Sequence, residues 1–470
     1  MLKVDLNLKK ASVRTMLPVA SAGFSCLWGM LLVVLLSPSA PQSGEELLLL
    51  RLGFIVGAFV MMIVVYVKRD LIAAEGPDPV PAFAVVLCLF MGVTNLLFRA
   101  GVEVPFVVEA IVWALAGCGF SLILLEWPKV FMVAWRKDVG MFLAAGAALG
   151  AVVYLFAVNL APPYADIALV LLPLASVLVF RYVVSHIVVG ARSSEKQGEQ
   201  TKLFLLTGFT VLLFGLLFGI GLYTVSSHMA DVNPVFVTVA VALGAGVHIA
   251  LALFVKHYIS FGTAEKFSLL CCAAGFLAME FLSAEWKVVC GLFLVAVWIY
   301  LDFANMSALM GFASGHASPF WRISRGQFVL VLGVGISWAA CLVIDTWFPD
   351  LFSVVPLFGL GVVLVLAMIA VLKPFQDNAF ADKNADGEVA EGGFFTQRCQ
   401  KVAADYKLSE REGEVLRFLA KGRNAQFISE QLNISAYTVK THVYHIYQKM
   451  GVNSQQELIT IVDATEVEYH

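Results

Sequence analysis

The stretch NISAYTVKTHVYHIYQKMGVNS, residues 433–454, decides how the C-terminal part of the chain folds. Four of its apolar side chains recur at the spacing of one helix face: Val439, Val443, Ile446 and Met450. Ser435 precedes them and is a favoured N-cap residue, whereas Gly451 follows them and is a common helix terminator. We therefore predict one amphipathic helix between Ser435 and Gly451.

The opposite face of this helix is polar and aromatic: Tyr437, Lys440, Thr441, Tyr444, His445 and Gln448. The segment NAQFISEQLNIS, residues 424–435, predicts a shorter helix before it, with a tight turn at residues 433–434. Two short helices joined in this way form a helix-turn-helix, whose second helix enters the major groove of DNA. The predicted DNA-contacting residues on that helix are Thr438, Lys440, Thr441, His442, Tyr444 and His445.

A set of motif residues extends over residues 408–463: Ser409, Arg411, Glu412, Glu414, Val415, Leu416, Gly422, Ile434, Ser435, Thr438, Val439, Lys440, His442, Gly451, Val452 and Ser454. On these residues the segment resembles the LuxR-type four-helix DNA-binding domain. The resemblance implies double-stranded DNA as a partner and a homodimer contact on the last helix, at about residues 454–462. The chain departs from the family pattern at residues 424–429, and at Gln448 and Gln455, where the family often has arginine.

Charge in this segment is balanced. Lys421, Arg423 and Lys449 are candidate phosphate contacts. Six basic residues are nevertheless matched by six acidic ones: Arg411, Arg417, Lys421, Arg423, Lys440 and Lys449 against Glu410, Glu412, Glu414, Glu430, Glu457 and Asp463. A nearly neutral module releases few counterions on binding DNA, so we expect one copy to bind weakly and to need dimerisation or clustering.

The rest of the chain has the composition of a membrane protein. Of its 470 residues 60% are hydrophobic and 14% are charged, whereas soluble domains have about 25% charged residues. Its mean hydropathy is +0.86. Apolar runs of about 17–25 residues match the thickness of a bilayer. They predict twelve transmembrane helices, at about 17–37, 48–67, 79–98, 104–125, 139–158, 166–189, 203–224, 235–256, 267–283, 287–306, 327–346 and 351–373.

Basic residues alternate between the predicted loops. With the N-terminus inside, the inner loops carry most of the basic residues and the outer loops carry only Arg99 and Lys287, as the positive-inside rule requires. This predicts an inner (plasma) membrane protein with both termini cytoplasmic. The polar segment at 190–202 divides the spans six and six, and this architecture resembles the major facilitator superfamily. The loop after the second span, VKRDLIAAEG (67–76), keeps a basic-acidic triplet but not that superfamily's loop motif.

The predicted fold class is all-α, with a polytopic twelve-helix membrane domain (6+6) and a C-terminal four-helix LuxR-type helix-turn-helix domain. The segments are a cytoplasmic N-terminal segment, six spans, a central loop, six spans, a linker, the DNA-binding domain and a tail: 1–16, 17–189, 190–202, 203–373, 374–407, 408–463 and 464–470.

Several ionisable residues lie inside the predicted spans. Arg51, Glu109, Arg181, Glu280 and Asp302 are candidates for a membrane ligand site or for structural ion pairs. Arg51 and Glu109 lie near the outer ends of their spans and could pair, whereas Arg181 and Asp302 lie toward the inner side. Snorkelling to the interface is the alternative for such residues. For His248 we favour a satisfied interior histidine over a ligand contact.

The chain shows no pattern typical of an enzyme. Its eight cysteines are scattered without metal-binding spacing, and no nucleophile–base pair is evident. We expect no metal, no cofactor and no catalytic residues. The leading hypothesis is a membrane-embedded transcriptional regulator, whose membrane domain senses a small-molecule ligand or localises the protein while the tail binds promoter DNA. The alternative is a secondary transporter of the major facilitator type with a regulatory DNA-binding tail.

Overall fold

A computed structural model describes residues 2–37, 44–68, 79–131, 136–161, 163–186, 201–228, 232–254, 261–313, 320–372, 398–420, 422–432 and 434–465. The chain divides into two compact units, Met1–Asp377 and Asn378–His470, and each has its own hydrophobic core. Apart from one 3-10 helix at Pro349–Val354, the regular secondary structure of these residues is α-helical. This confirms the predicted all-α class.

The first unit contains thirteen α-helices within the described residues. They are α1 (Leu2–Leu36), α2 (Gly44–Val67), α3 (Val80–Arg99), α4 (Phe106–Glu126), α5 (Pro128–Phe131), α6 (Arg136–Val158), α7 (Tyr164–His186), α8 (Thr201–Ser227), α9 (Pro234–Phe254), α10 (Phe261–Phe281), α11 (Ala284–Ala313), α12 (Phe320–Trp347) and α13 (Val355–Leu372). The short helix α5 was not predicted from the sequence.

Eleven candidate spans in the described part of the chain are long and apolar enough to cross a membrane. The remaining long helix, α10, covers most of the predicted span 267–283 but ends at Phe281, and it carries three charged residues, Glu265, Lys266 and Glu280. The eleven spans found become twelve only if α10 also crosses the membrane. The predicted count of twelve therefore stays a prediction.

Burial distinguishes central helices from peripheral ones. The most buried spans lie on α1, α8 and α11, each 78% buried, whereas the span on α9 is 28% buried. Large apolar side chains point outward from the peripheral helices, including Leu243 on α9 and Leu364 on α13. A helix surface of this kind suits contact with lipid tails, which offer no hydrogen bonds.

The two halves of the membrane unit meet through α2 with α12 and through α6 with α9. Within the first half, α2 and α4 touch backbone to backbone at Gly57 and Gly117. A Cβ atom at residue 57 would lie 2.6 Å from the carbonyl carbon of Ala114, and one at residue 117 would lie 2.9 Å from the amide nitrogen of Ala58. Glycine therefore sets this helix spacing, as small residues do between membrane helices.

The second unit is a small helical domain. Its helices are α14 (398–405), α15 (Glu410–Leu419), α16 (Ala425–Leu432), α17 (Ala436–Met450) and α18 (Gln455–Ala464). Cys399 and Val402 of α14 belong to its core. The folded domain therefore begins earlier than the predicted boundary at residue 408. The predicted linker, 374–407, shares its last residues with this domain, and residues 373–397 lie outside the described ones.

Candidate nucleic-acid interface and membrane cavity

The second helix of the C-terminal unit, α15, begins with a capping box. Glu412 donates its backbone N–H to Ser409 Oγ (3.3 Å), and Ser409 donates its own N–H to Glu412 Oε2 (2.7 Å). This reciprocal pair satisfies two N–H groups that a helix start leaves free. Burial of Glu412 raises its pKa, but hydrogen bonds from Lys449 and Ser409 and the Lys449 charge outweigh burial and lower that pKa to about 2.

Lys449 is a partner of this capping glutamate. Its Nζ lies 2.6 Å from Glu412 Oε2 and also donates to the backbone oxygen of Lys407 (3.3 Å). The sequence predicted Lys449 as a phosphate contact. In the structure its ammonium group instead holds the last turn of α17 against the start of α15. A carboxylate 37 residues away cannot be foreseen from helix spacing alone.

The predicted amphipathic helix is α17, which we call the reading helix. Ser435 caps it and accepts a hydrogen bond at Oγ from the Thr438 N–H (3.0 Å). Gly451 ends it in the left-handed region (φ 66°), where glycine avoids a steric cost. Val439, Ile446 and Met450 are buried as predicted, and Val443 packs more loosely against the same core.

The outward face of the reading helix carries most of the predicted DNA-contacting residues. Exposed along it are Tyr437, Lys440, Thr441, Tyr444, His445 and Gln448. His442 is half-buried, and the Thr438 hydroxyl shares a hydrogen bond with Ser435 Oγ (2.8 Å), so both lie at the edge of this face. Tyr437 was not among the predicted contacts, yet it is 82% exposed and Tyr444 is 61% exposed. Amphipathic spacing alone could have included Tyr437.

The other predicted phosphate contacts differ from one another. The guanidinium carbon of Arg423 lies 4.9 Å from the centre of the Phe427 ring, a cation–π geometry. Lys421 lies outside the described residues. Gln455 donates Nε2 to the backbone oxygens of Leu419 (2.8 Å) and Arg423 (3.0 Å). Where the family often has an arginine, this chain has a glutamine that satisfies carbonyls at the end of α15.

Known proteins resemble this unit. The family model for bacterial regulatory proteins of the luxR family (GerE) matches residues 406–462. Residues 406–462 form a LuxR-type helix-turn-helix domain. The segment is 38% identical over 65 residues to the transcriptional regulatory protein YdfI of Bacillus subtilis, covering 14% of this chain and 30% of that protein.

Two further relatives share the LuxR-type domain. The Fimbriae Z protein of Salmonella typhimurium is 41% identical over 63 residues, 13% of this chain and 30% of that protein. The HTH-type transcriptional regulator MalT of Yersinia pestis is 38% identical over 52 residues, 11% of this chain and 6% of that protein. The chain thus spans less than a third of these curated relatives.

In the membrane unit, Arg51 is buried and bonded to helix ends. Its guanidinium donates to the backbone oxygens of Val34 (3.1 Å), Ser37 (2.7 Å) and Ser226 (3.3 Å) and to Ser226 Oγ (2.5 Å). These hydrogen bonds go to the ends of α1 and α8 rather than to Glu109, so the predicted Arg51–Glu109 pair is wrong. The four hydrogen bonds to oxygen atoms compensate the buried charge of Arg51 without a carboxylate partner in the described part of the chain.

A cavity of about 110 Å³ lies between the two halves of the membrane unit. Asp302 belongs to its lining, whereas the other four candidate ligand residues do not: Arg51, Glu109, Arg181 and Glu280. Arg181 and Glu280 are exposed and Glu109 is buried elsewhere, so the structure does not bring the five candidates together, and a ligand or ion-pair role for them stays a prediction. Apolar helices carry little sequence signal for which face turns inward.

His248 lies in the interior, as predicted. Its ring packs against Tyr300 and Phe303, with centroids 5.8 and 6.1 Å away. Its Nδ1 has no hydrogen-bond partner among the described residues, so the prediction that this histidine is satisfied is not confirmed. His248 does not line the cavity, so the structure gives it a packing role.

The fold of the membrane unit is similar to that of solved transporters, one of which is described as a Major Facilitator Superfamily (MFS) transporter. It matches the E. coli Fucose:proton symporter FucP with a TM-score of 0.52 at 12% identity, covering 77% of this chain and 98% of that one. The human organic anion transporter MFSD10 matches with a TM-score of 0.54 at 13% identity, covering 77% of this chain and 99% of that one. Identities this low show a shared fold alone.

Proposed function

We propose that this protein is a membrane-embedded transcriptional regulator. Its LuxR-type domain binds promoter DNA, and its membrane unit binds a small-molecule ligand or holds the domain at the membrane. The observation that carries the proposal is the outward face of the reading helix, because Lys440, Thr441 and Tyr444 are exposed on one side of a capped helix. The second helix of a helix-turn-helix presents such side chains to base edges in the major groove.

The proposal includes a homodimer in the LuxR-type domain. The basic and acidic residues of the domain are equal in number. Because Lys449 is bonded to Glu412, one basic side chain fewer is available to contact phosphates. A single copy then neutralises few phosphates and binds weakly. Pairing two domains on adjacent half-sites raises affinity without any new contact within one domain. The family resemblance supports α18 as the dimer contact.

The proposed location is the inner membrane, with both termini in the cytoplasm. The basic loops alternate as the positive-inside rule requires, and the outward apolar side chains suit contact with lipid. A cytoplasmic C-terminus places the LuxR-type domain on the side where bacterial DNA lies. As a regulator the protein acts through binding, without catalytic turnover or a cofactor.

DNA binding can be tested with the intact protein. Full-length protein in lipid nanodiscs is mixed with sheared genomic DNA of its host, captured and washed, and the retained DNA is sequenced. We expect a small set of enriched promoter fragments for the wild type and for Lys401→Ala, which removes an exposed lysine outside the reading helix. Lys440→Ala should lose the enrichment. Uniform recovery of all fragments by the wild type would contradict the proposal.

The alternative, a secondary transporter with a regulatory DNA-binding tail, is favoured by one observation, the buried carboxyl group of Asp302 in the cavity. Uptake into proteoliposomes distinguishes the two functions. Saturable uptake of a substrate that Asp302→Asn abolishes and Glu280→Gln preserves would favour transport. The regulator proposal expects no such flux.

A further inference from the structure

The cavity is lined by both halves of the membrane unit. Its lining comes from α1, α2, α4 and α6 of the first half and from α8, α11 and α12 of the second. On the outer side, Arg51 bonds α2 to the ends of α1 and α8. Toward the inner end of α2, the Ser324 hydroxyl of α12 donates to the backbone oxygen of Met62. Contacts between the halves thus occur on both sides of the cavity.

The size of the cavity limits its occupant. Its volume is about 110 Å³. An engineered apolar cavity of about 150 Å³ in another protein takes up benzene. By that comparison the space suits a molecule of about one ring and is too small for a sugar chain, a peptide or a nucleotide.

The walls are apolar and rich in aromatic rings. The Trp298 ring stacks on Phe218 with centroids 3.9 Å apart, and Trp28 lies 5.9 Å from Trp298. Phe303 meets Trp28 edge to face at 5.5 Å. Rings fixed by such packing form a preformed apolar surface, which favours an occupant with an apolar body.

Two polar side chains interrupt these walls. Asp302 on α11 and Gln327 on α12 are both buried, and Gln327 Nε2 donates to Asp302 Oδ1 at 3.4 Å. A carboxyl group has capacity for several hydrogen bonds, and one long bond leaves most of that capacity unused. Among the described lining residues none is basic. An anion would therefore meet a carboxyl group without any compensating cation.

We infer that this cavity binds a small, mostly apolar molecule of about one ring that bears a hydrogen-bond donor, and that Asp302 accepts from this donor. The donor is a hydroxyl group or a protonated amine. Gln327 orients the carboxyl group, and the aromatic walls hold the apolar body. The inference rests on the proposed ligand-sensing role of the membrane unit and names the ligand class for it.

Four ring-sized probes test this with full-length protein in nanodiscs. Benzylamine is a cationic donor, benzyl alcohol a neutral donor, toluene lacks a donor, and benzoate is an anion. Quenching of tryptophan fluorescence reports occupancy because Trp28 and Trp298 line the cavity, and empty nanodiscs correct for partitioning into lipid. We expect at least one donor probe to bind about tenfold or more tightly than toluene, and benzoate to bind most weakly.

Variants then assign the donor contact. Asp302→Asn should weaken benzylamine about tenfold or more and benzyl alcohol less, because the amide keeps an acceptor but loses the charge. The matched control is Glu280→Gln, which makes the same change at an exposed position on α10 and should leave both affinities unchanged. The comparison of the four probes uses the wild-type protein alone, so it tests the inference even if the Asp302→Asn variant does not fold.

Equal binding of toluene and the donor probes, preferred binding of benzoate, or no saturable binding of any probe would overturn the inference. So would unchanged benzylamine binding in folded Asp302→Asn. None of these results bears on DNA capture by the LuxR-type domain, which is measured separately without probe. Failure of DNA capture together with normal probe binding would contradict the regulator proposal without contradicting the ligand class assigned to the cavity.

Discussion

Lys449 Nζ lies 2.6 Å from Glu412 Oε2 and joins the last turn of the reading helix to the capping box of α15. Glu412 thus accepts hydrogen bonds from the Ser409 N–H and from the Lys449 ammonium group. This one carboxylate links the start of α15 to the last turn of the reading helix. Two of the opposite charges in the LuxR-type domain therefore belong to a structural contact within it.

We expect the stability of this domain to fall in acid. The folded-state pKa of Glu412 is about 2, below its usual value of 4.5. The contribution of this group is therefore complete above about pH 4.5 and is lost as the pH falls toward 2. Circular dichroism of unfolding should show Glu412→Gln less stable than wild type by about 1.5 kcal/mol at pH 7, with the difference shrinking in acid.

Glu410→Gln is the control for this prediction, because Glu410 lies exposed in the same helical turn. The Glu410→Gln variant should unfold nearly as the wild type does, both at pH 7 and in acid. Equal stability of Glu412→Gln and Glu410→Gln at pH 7 would show that the Lys449 contact contributes nothing.

Two lysines of the reading helix should act differently on DNA. Lys440→Ala should weaken binding to a captured promoter fragment by about 1–3 kcal/mol, the range for loss of a base contact. Lys449→Ala should leave the salt dependence of binding nearly unchanged, because its ammonium group is bonded to Glu412 rather than to phosphate. Fluorescence anisotropy at several salt concentrations measures both. A salt slope reduced by about 1 in Lys449→Ala would identify a phosphate contact instead.

Gln455 should stabilise the domain through two hydrogen bonds. Its side chain donates to the carbonyl of Leu419, the last residue of α15, and to that of Arg423, just beyond the helix. Gln455→Ala removes both donors and should lower the free energy of unfolding by about 1–2 kcal/mol. Gln456→Ala changes the exposed neighbouring glutamine and should cost little. Chemical denaturation compares the pair, and equal midpoints would refute the role of Gln455.

Arg51 should be needed for a stable membrane unit. Arg51→Ala leaves the carbonyl oxygens of Val34 and Ser37 without their donor at the C-terminal end of α1. A buried acceptor left without its donor costs about 1–3 kcal/mol. Thermal unfolding in detergent should therefore begin several degrees lower. Arg181→Ala removes an exposed arginine from α7 and should unfold as the wild type does; a similar loss in both variants would mean that burial of Arg51 is unimportant.

Local patterns predicted much of the fold. Hydropathy runs located the long helices, and the Ser435 cap, the Gly451 terminator and the spacing of Val439 and Ile446 located the reading helix. These signals depend on residues within a few positions of one another, so they are readable without coordinates.

Side-chain partners were not predictable in the same way. Arg51 bonds to Ser226, 175 residues away, and Lys449 bonds to Glu412 across the domain. Such pairs depend on tertiary packing, which spacing does not encode. Arg181 and Glu280 are exposed in the structure. The sequence did not predict this, because a helix that is apolar on every side gives no periodic signal for its inward face.

The central claim is that the intact membrane protein occupies promoters through its reading helix. Chromatin immunoprecipitation of the full-length chain, sequenced genome-wide, tests it most directly, with Lys440→Ala and the control Lys401→Ala expressed at equal membrane levels. We predict discrete promoter peaks for the wild type and Lys401→Ala and loss of those peaks for Lys440→Ala. Absence of any promoter enrichment in the wild type, or identical peaks in Lys440→Ala, would contradict the account.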